Sequence, residues 1–247
     1  VEHSRRRHRL ALVGAVAVVV ALGASGYGVL HSPLLAARHL RITGAVHEST
    51  GAVLRAAAIT GSPPLIDIDT AAAARAIEAL PWVATAVVGR HWPETLSIAI
   101  TERTAVGDVA LSGGGYAVVD ADGRVLERVG ARPTGLLSLT GVGRLPRVGS
   151  NLGVAGTTVA QLAHAIPTSF RPGVESVGMG RTDGLVIQLS VGPTVIVGTL
   201  SALGEKFVAL ATLLSSERQA LLGARVVDLR VPQSPLLTPP SSGPNVR

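Results

Sequence analysis

Residues 80–103 read LPWVATAVVGRHWPETLSIAITER, and the reading of this stretch decides the fold. Pro81 ends whatever helix precedes it, because its ring removes an N–H donor and collides with the turn behind it. Residues 83–88 form a run rich in β-branched side chains. Leu96, Ile98 and Ile100 then alternate with Ser97, Ala99 and Thr101, the period-two pattern of a half-buried strand. Between them His91-Trp92-Pro93-Glu94 turns the chain, with Pro93 fixing φ at the bend. The stretch is therefore strand, turn, strand. Trp82 and Trp92 are expected to supply large apolar contacts around it.

Working outward toward the N-terminus, residues 70–80 read as a helix whose free N–H groups Asp69 can accept. Before it, Gly61 and Pro63-Pro64 break an earlier helix that Ser49 or Thr50 can cap, with Val53 and Ala57 one turn apart on one face. Leu40-Arg41-Ile42 reads as a short strand ending at Gly44. The order strand, helix, helix, strand, strand over residues 38–104 predicts a compact α/β module.

Ahead of this module lies an apolar run bounded by Leu10 and Leu30, which carries no charged side chain and includes Val18, Val19 and Val20. A helix rises 1.5 Å per residue, so roughly 20 residues cover a hydrocarbon core of about 30 Å. Arg5, Arg6, Arg7 and Arg9 stand just before the run and no cation follows it directly. Such flanks are retained on the cytoplasmic side. The sequence thus predicts a cytoplasmic tail over residues 1–9, a transmembrane anchor over 10–30, and export of the rest. A signal peptide cut near Ala21 or Gly23 is the rival reading. Its apolar segment spans about 7–15 residues, shorter than this run.

The exported part, roughly 215 residues, is long enough for one large or two modest cores. There is no cysteine, so disulfides and thiolate metal sites are excluded. Aromatic residues make up 2% of the chain, too few for a platform that stacks single-stranded nucleic acid. The net charge is +6, but four of those charges flank the apolar run, so the exported part is only mildly basic. Neither a nucleic acid nor a small-molecule substrate is expected as partner.

Beyond the module, Arg103 to Gly115 reads as a connection ending in Gly113-Gly114-Gly115. Residues 116–120 and 124–127 then flank a turn at Ala121-Asp122-Gly123, where glycine supplies φ > 0. Residues 136–139 make another strand, and Gly141 to Gly153 reads as loop. Thr158 with Gln161 three residues on is a capping-box pattern for a helix stopping near Pro167. Residues 174–177, 185–189 and 194–197 look like a meander. Leu203, Phe207, Leu210 and Leu214 then set a 3.6-residue stripe over residues 201–217. A last strand comprises Arg225, Val226, Val227, Asp228, Leu229, Arg230 and Val231, and Pro232 ends it. Pro235, Pro239, Pro240 and Pro244 follow among Ser, Thr and Gly, a composition that predicts a disordered tail over residues 232–247.

Here the residues resemble a known family. The set Pro81-Trp82-Val83, Arg90-His91-Trp92-Pro93-Glu94-Thr95-Leu96 and Thr101-Glu102-Arg103, with Gly44, Pro64-Leu65 and Asp69, looks like the POTRA module of the FtsQ/DivIB bacterial cell-division family. The second half adds Val118-Val119-Asp120-x-x-Gly123, Val197-Gly198, Lys206 and Val227-Asp228-Leu229-Arg230. Gly89, and Ala105 where proline commonly follows Glu-Arg-x, depart from the pattern. The resemblance implies an α+β protein: a single transmembrane helix, a β-α-α-β-β POTRA module, and a second β-rich domain with two helices over residues 105–231. It further implies a non-enzymatic bitopic scaffold at the division septum of the plasma membrane. Its implied partners are the FtsB/DivIC-type and FtsL-type proteins, besides the lipid bilayer. Positions matching Arg230 and Val231 lie where an FtsB-type partner docks in that family. If the last strand is an edge, its unpaired backbone groups invite strand addition.

No catalytic or cofactor arrangement emerges. The seven histidines form no His-x-x-x-His pair, and no serine sits in Gly-x-Ser-x-Gly. Gly141-Val142-Gly143 and Gly178-Met179-Gly180 lack the third glycine of a dinucleotide loop. Asp67 and Asp69 are read through helix capping before paired-acid chemistry. An exported hydrolase or binding protein would need a constellation that is missing here. A POTRA-type translocation component would bring repeated modules.

Overall fold

A computed structural model describes residues 2–239, apart from the side chains of residues 2–13 and of Pro33. The chain divides into two compact units, Val1–Glu102 and Arg103–Arg247.

The first unit opens with helix α1 (Glu2–Leu30). Its described side chains are largely exposed: Val18 is 59%, Val19 69% and Val20 64% accessible. The side chain of Leu10 lies outside the described residues. Among the described residues no helix is long and apolar enough to cross a membrane, so the expected anchor is not shown by the structure.

The module that follows has strand β1 (His39–Thr43), helix α2 (Thr50–Ala56), helix α3 (Thr70–Glu78) and strands β2 (Val83–His91) and β3 (Thr95–Glu102). The sheet order is β1-β3-β2, with β1 parallel and β2 antiparallel to β3. Both helix starts follow the sequence signals. Ser49 accepts from Ala52 N at 3.1 Å, and Asp69 accepts from Ala72 N at 2.9 Å. Leu96, Ile98 and Ile100 point into a core with Val53, Leu65 and Ile77, as the alternation requires.

The two tryptophans part company. Trp82 is buried and stacks on His47, with ring centroids 3.8 Å apart. Trp92, expected to pack at the turn, is 49% exposed. The turn reverses the chain before Trp92 can reach the core, which α2 and α3 already fill.

The second unit is a nine-stranded sheet in the order β12-β11-β10-β9-β8-β7-β4-β5-β6. Its strands are β4 (Ala105–Ala110), β5 (Tyr116–Asp120), β6 (Val125–Val129), β7 (Leu137–Thr140), β8 (Val174–Met179), β9 (Leu185–Leu189), β10 (Thr194–Gly198), β11 (Val226–Asp228) and β12 (Leu236–Thr238). Helices α4 (Val154–Ala165), α5 (Leu203–Ser216) and α6 (Arg218–Gly223) complete it. Buried residues of α4, such as Leu162 and Ala163, share one core with Leu139, Val177, Ile187 and Val195. Phe207 and Leu210 of the expected stripe join the same core, Leu203 and Leu214 pack against it half-buried, and Leu213 is buried beside them.

Four expectations need correction. The connection after Arg103 contains strand β4, whose Val106, Gly107, Asp108 and Val109 are all buried. A strand covered on both faces shows no alternation to read. Gly107 lets β7 approach, since a Cβ there would lie 2.6 Å from the Leu139 side chain and 2.8 Å from Leu137 O. Helix α4 starts a turn before Thr158, capped by Gly153; the Thr158 hydroxyl donates back to Val154 O at 2.8 Å. A third short helix, α6, joins the expected two. Finally, the tail is not disordered where it is described: β12 pairs antiparallel with β11, and residues 240–247 lie outside the described residues. Leu236 and Leu237 can form a strand because both prolines beside them fall outside the ladder positions.

Candidate partner-docking surface

The residues expected to bind a partner come together at one end of the large sheet, but not as an edge strand. β11 is enclosed, parallel to β10 on one side and antiparallel to β12 on the other. The edge belongs to β12. The proline-rich segment supplies the ladder strand that its composition argued against.

Backbone direction follows from two bonds. Thr194 N donates to Arg225 O at 3.1 Å, and Leu229 N donates to Ile196 O at 2.8 Å. Odd-numbered residues of β11 therefore face β10, and Val226 and Asp228 face β12. Their partners Thr238 and Leu236 face inward, which turns the N–H and C=O of Leu237 to the outer side. Pro235 and Pro239 share that outward parity and have no N–H. The open edge thus offers one donor, Leu237.

The side chains divide by the same alternation. Val227 and Leu229 are buried in the core and unavailable to a partner. Val226 and Asp228 are half-buried, Arg225, Arg230 and Val231 are exposed, and Pro232 is half-buried. Val231, which shares the core parity, is 57% accessible because the strand has ended before it. Arg230 is already engaged. Its Nε reaches both Asp228 oxygens at 3.1 and 3.0 Å, and its N–H donates to Oδ1 at 2.9 Å. Hydrogen bonds from Arg230 hold the Asp228 carboxyl below its ordinary range. The Arg230 stem lies over Gly198, where φ is +76° and a Cβ would meet Arg230 Cγ at 2.7 Å. The Val-Gly pair before α5 therefore has a steric reason.

Beside this edge is an open groove of about 440 Å³, lined by Gly204, Glu205, Val208, Ala209, Pro232 and Gln233. Gln233 Nε2 donates to Glu205 Oε2 at 2.8 Å and ties the β11–β12 loop to the start of α5. Val208 is 66% exposed on the groove. The α5 residues that line the groove lie off the stripe of Leu203, Phe207, Leu210 and Leu214. A non-core valine on an otherwise periodic helix was the available signal. Lys206, on the same turn, is buried instead, donating to Val197 O at 2.8 Å and Thr199 O at 3.0 Å; burial lowers its pKa.

The motif residues of the first unit serve its architecture. Val83 and Leu96 are fully buried, and Pro81 sits in the turn after α3. Arg90 Nε donates to Ile68 O at 3.2 Å. Glu102 accepts from Val46 N at 2.7 Å, His47 N at 2.8 Å and the His47 ring at 2.7 Å. Burial pushes the Glu102 carboxyl up, and those donors bring it below its ordinary value. Arg103 belongs to the second unit, where it bridges Asp120 at 2.7 Å and Asp122 at 3.1 Å. Among the described residues no cluster of His, Asp and Glu could hold a metal ion.

Comparison with known proteins gives these units their relatives. Residues 35–103 match the POTRA domain, FtsQ-type, and residues 109–230 match the family described as cell division protein FtsQ/DivIB, C-terminal. A cell division protein FtsQ of Corynebacterium glutamicum is 27% identical over 214 residues, 84% of this chain and 90% of that protein. One of Streptomyces collinus is 29% identical over 239 residues, 93% and 88% of the two chains. One of Mycolicibacterium smegmatis is 37% identical over 95 residues, 38% of this chain and 28% of that protein. Both domain matches fall in the family's order, one on each compact unit. The chain belongs to the FtsQ/DivIB family of cell division proteins.

Proposed function

We propose that the protein is a non-catalytic, single-pass scaffold of the bacterial division machinery in the plasma membrane at the septum. The run bounded by Leu10 and Leu30 anchors it, and the arginines before that run keep the N-terminus inside. The bulk of the chain then stands outside the cytoplasm. Its C-terminal edge receives small bitopic coiled-coil proteins of the FtsB/DivIC and FtsL types, and through them it acts on septal wall synthesis.

The observation that carries this reading is the open edge of β12 beside an apolar groove, in a chain of this family. The magnitudes say how the edge would work. Each added backbone hydrogen bond contributes about 0.5–1.5 kcal/mol net. A micromolar complex needs about 8 kcal/mol. One donor and a few carbonyls cannot supply that alone, so Leu237 sets register while side chains supply affinity. Covering Val231 and Val208 contributes roughly 1.5–3 kcal/mol each. Arg230, displaced from or shared with Asp228, adds a charge-assisted bond to a partner carboxylate.

The test is the affinity of the full chain for its FtsB-type partner in Arg230→Glu and, separately, Val231→Asp, with folding checked by circular dichroism. Both should weaken binding. If both fold and bind unchanged, the docking site lies elsewhere. Intact-mass measurement of the membrane fraction tests the anchor: a soluble species starting near Ala24 would remove it.

A further inference from the structure

Three loops of the first unit meet at one end of its sheet. Arg38 N and His39 N both donate to Glu94 O at 3.0 Å, which places the segment after α1 against the β2–β3 turn. Ala37 N donates to Pro63 O at 2.8 Å, and His31 Nε2 lies 3.1 Å from Asp67 Oδ1, so residues 63–67 adjoin the same segment. Arg90 closes the triangle by donating to Ile68 O from the far end of β2. This end exposes large apolar side chains: Leu34 is 70% accessible, Trp92 49% and Ile66 37%.

From these contacts we infer that this end of the POTRA module lies in the lipid headgroup layer, with Trp92, Leu34 and Ile66 as its contacts. The inference rests on the anchor proposed above. Chain length makes lipid the occupant. The eight steps from Leu30 to Arg38 span at most about 29 Å fully extended. Part of that path is coiled, since residues 33–35 form a 3-10 turn. Arg38 is hydrogen-bonded to the turn carrying Trp92, so the bilayer boundary is the nearest large apolar surface. Tryptophan prefers that boundary because its ring is amphipathic.

Charge does not drive the contact. Arg38 and Arg90 at this end are outnumbered by the carboxylates Asp67, Asp69 and Glu94, and Glu94 lies 3.9 Å from Arg38. Contact should therefore hold on zwitterionic lipid and change little with salt, unlike a polybasic patch. Trp82 supplies an internal reference. It sits at the other end of β2, ten residues of mostly extended chain away, or roughly 30 Å.

The experiment reconstitutes the full chain in phosphatidylcholine vesicles whose acyl chains are brominated near the headgroup, and reads tryptophan fluorescence after flotation. Bromolipid should quench the wild-type chain, and in Trp92→Phe the quenched fraction should fall several-fold, leaving Trp82 emission. Leu34→Asp should reduce quenching with the same unfolding curve. Equal quenching of wild type and Trp92→Phe, with acrylamide reaching Trp92 freely, overturns the inference while the chain still floats. Failure to float overturns the anchor reading, and this inference with it.

Discussion

The large sheet ends in two edges that are treated in opposite ways. At β6 the loop over residues 144–151 folds back along the strand. Val125 N donates to Ser150 O at 3.0 Å, Gly149 N donates to Val125 O at 2.8 Å, and Arg128 reaches Pro146 O at 3.1 Å. That edge is covered at Val125 by the protein's own backbone and at Arg128 by a side-chain bond. At β12 nothing within the described residues pairs with the outer side, and the flanking prolines leave a single donor. The difference teaches how a β-rich domain can offer strand addition without offering it to every chain. A long free edge is an aggregation template, whereas a three-residue edge between prolines accepts only a partner whose side chains also fit.

The sharpest way to break this comparison is to show that the β12 end is not a surface. Leu229→Ala should cost about 2–5 kcal/mol in chemical denaturation, because Leu229 is core. Val231→Ala, two residues on, should stay within about 0.5 kcal/mol. Equal costs would mean that Val231 is covered in solution. Next in size is the backbone contribution. Leu237→Pro removes the one outward N–H of the edge and should weaken binding of the proposed FtsB-type partner about tenfold, or about 1.4 kcal/mol, with the far-ultraviolet spectrum unchanged. An unaltered affinity would leave the side-chain groove as the whole site.

At the closed edge a smaller effect is expected. Arg128→Ala loses one exposed bond to Pro146 O, about 0.5–1 kcal/mol, and should speed hydrogen exchange at Val125 without creating partner binding. The smallest effects are in pH dependence, where two carboxylates oppose each other. Asp228, held low by Arg230, contributes stability above the ordinary carboxylate pKa, and this is lost as pH falls through its lowered value. Asp228→Asn should flatten the acid limb of the stability curve. Asp108 is fully enclosed in β4, with Arg132 Nε 3.3 Å from Oδ1 and, among the described residues, no hydrogen-bond partner on Oδ2. Burial pushes its pKa up against the pull of Arg132. The fold therefore favours its protonated form, and stability should decline as pH rises from the ordinary carboxylate value through the raised one. Asp108→Asn should remove that decline, and thermal unfolding across the acid range separates the two slopes.

Much of this molecule is determined by sequence alone. Residues 80–103 specify a strand, a turn and a strand, because alternation at Leu96, Ile98 and Ile100 and the proline at 93 are local signals. The helix starts at Ser49 and Asp69 are equally local, since a cap needs only a side chain and an N–H three residues away. Family membership was also legible, in the motif residues of both halves. Other features needed the tertiary structure. β4 has no readable period because neighbours bury both its faces. Trp82 and Trp92 are the same residue type in the same module, and only the packing of α2, α3 and His47 decides which is enclosed. The tail strand is the clearest case. Leu236, Leu237 and Thr238 between prolines carry no signal of their own, and they become a strand because β11 presents unpaired backbone groups beside them. Strand pairing joins residues distant in sequence, so which strand is last in a sheet is decided only when the partners have met.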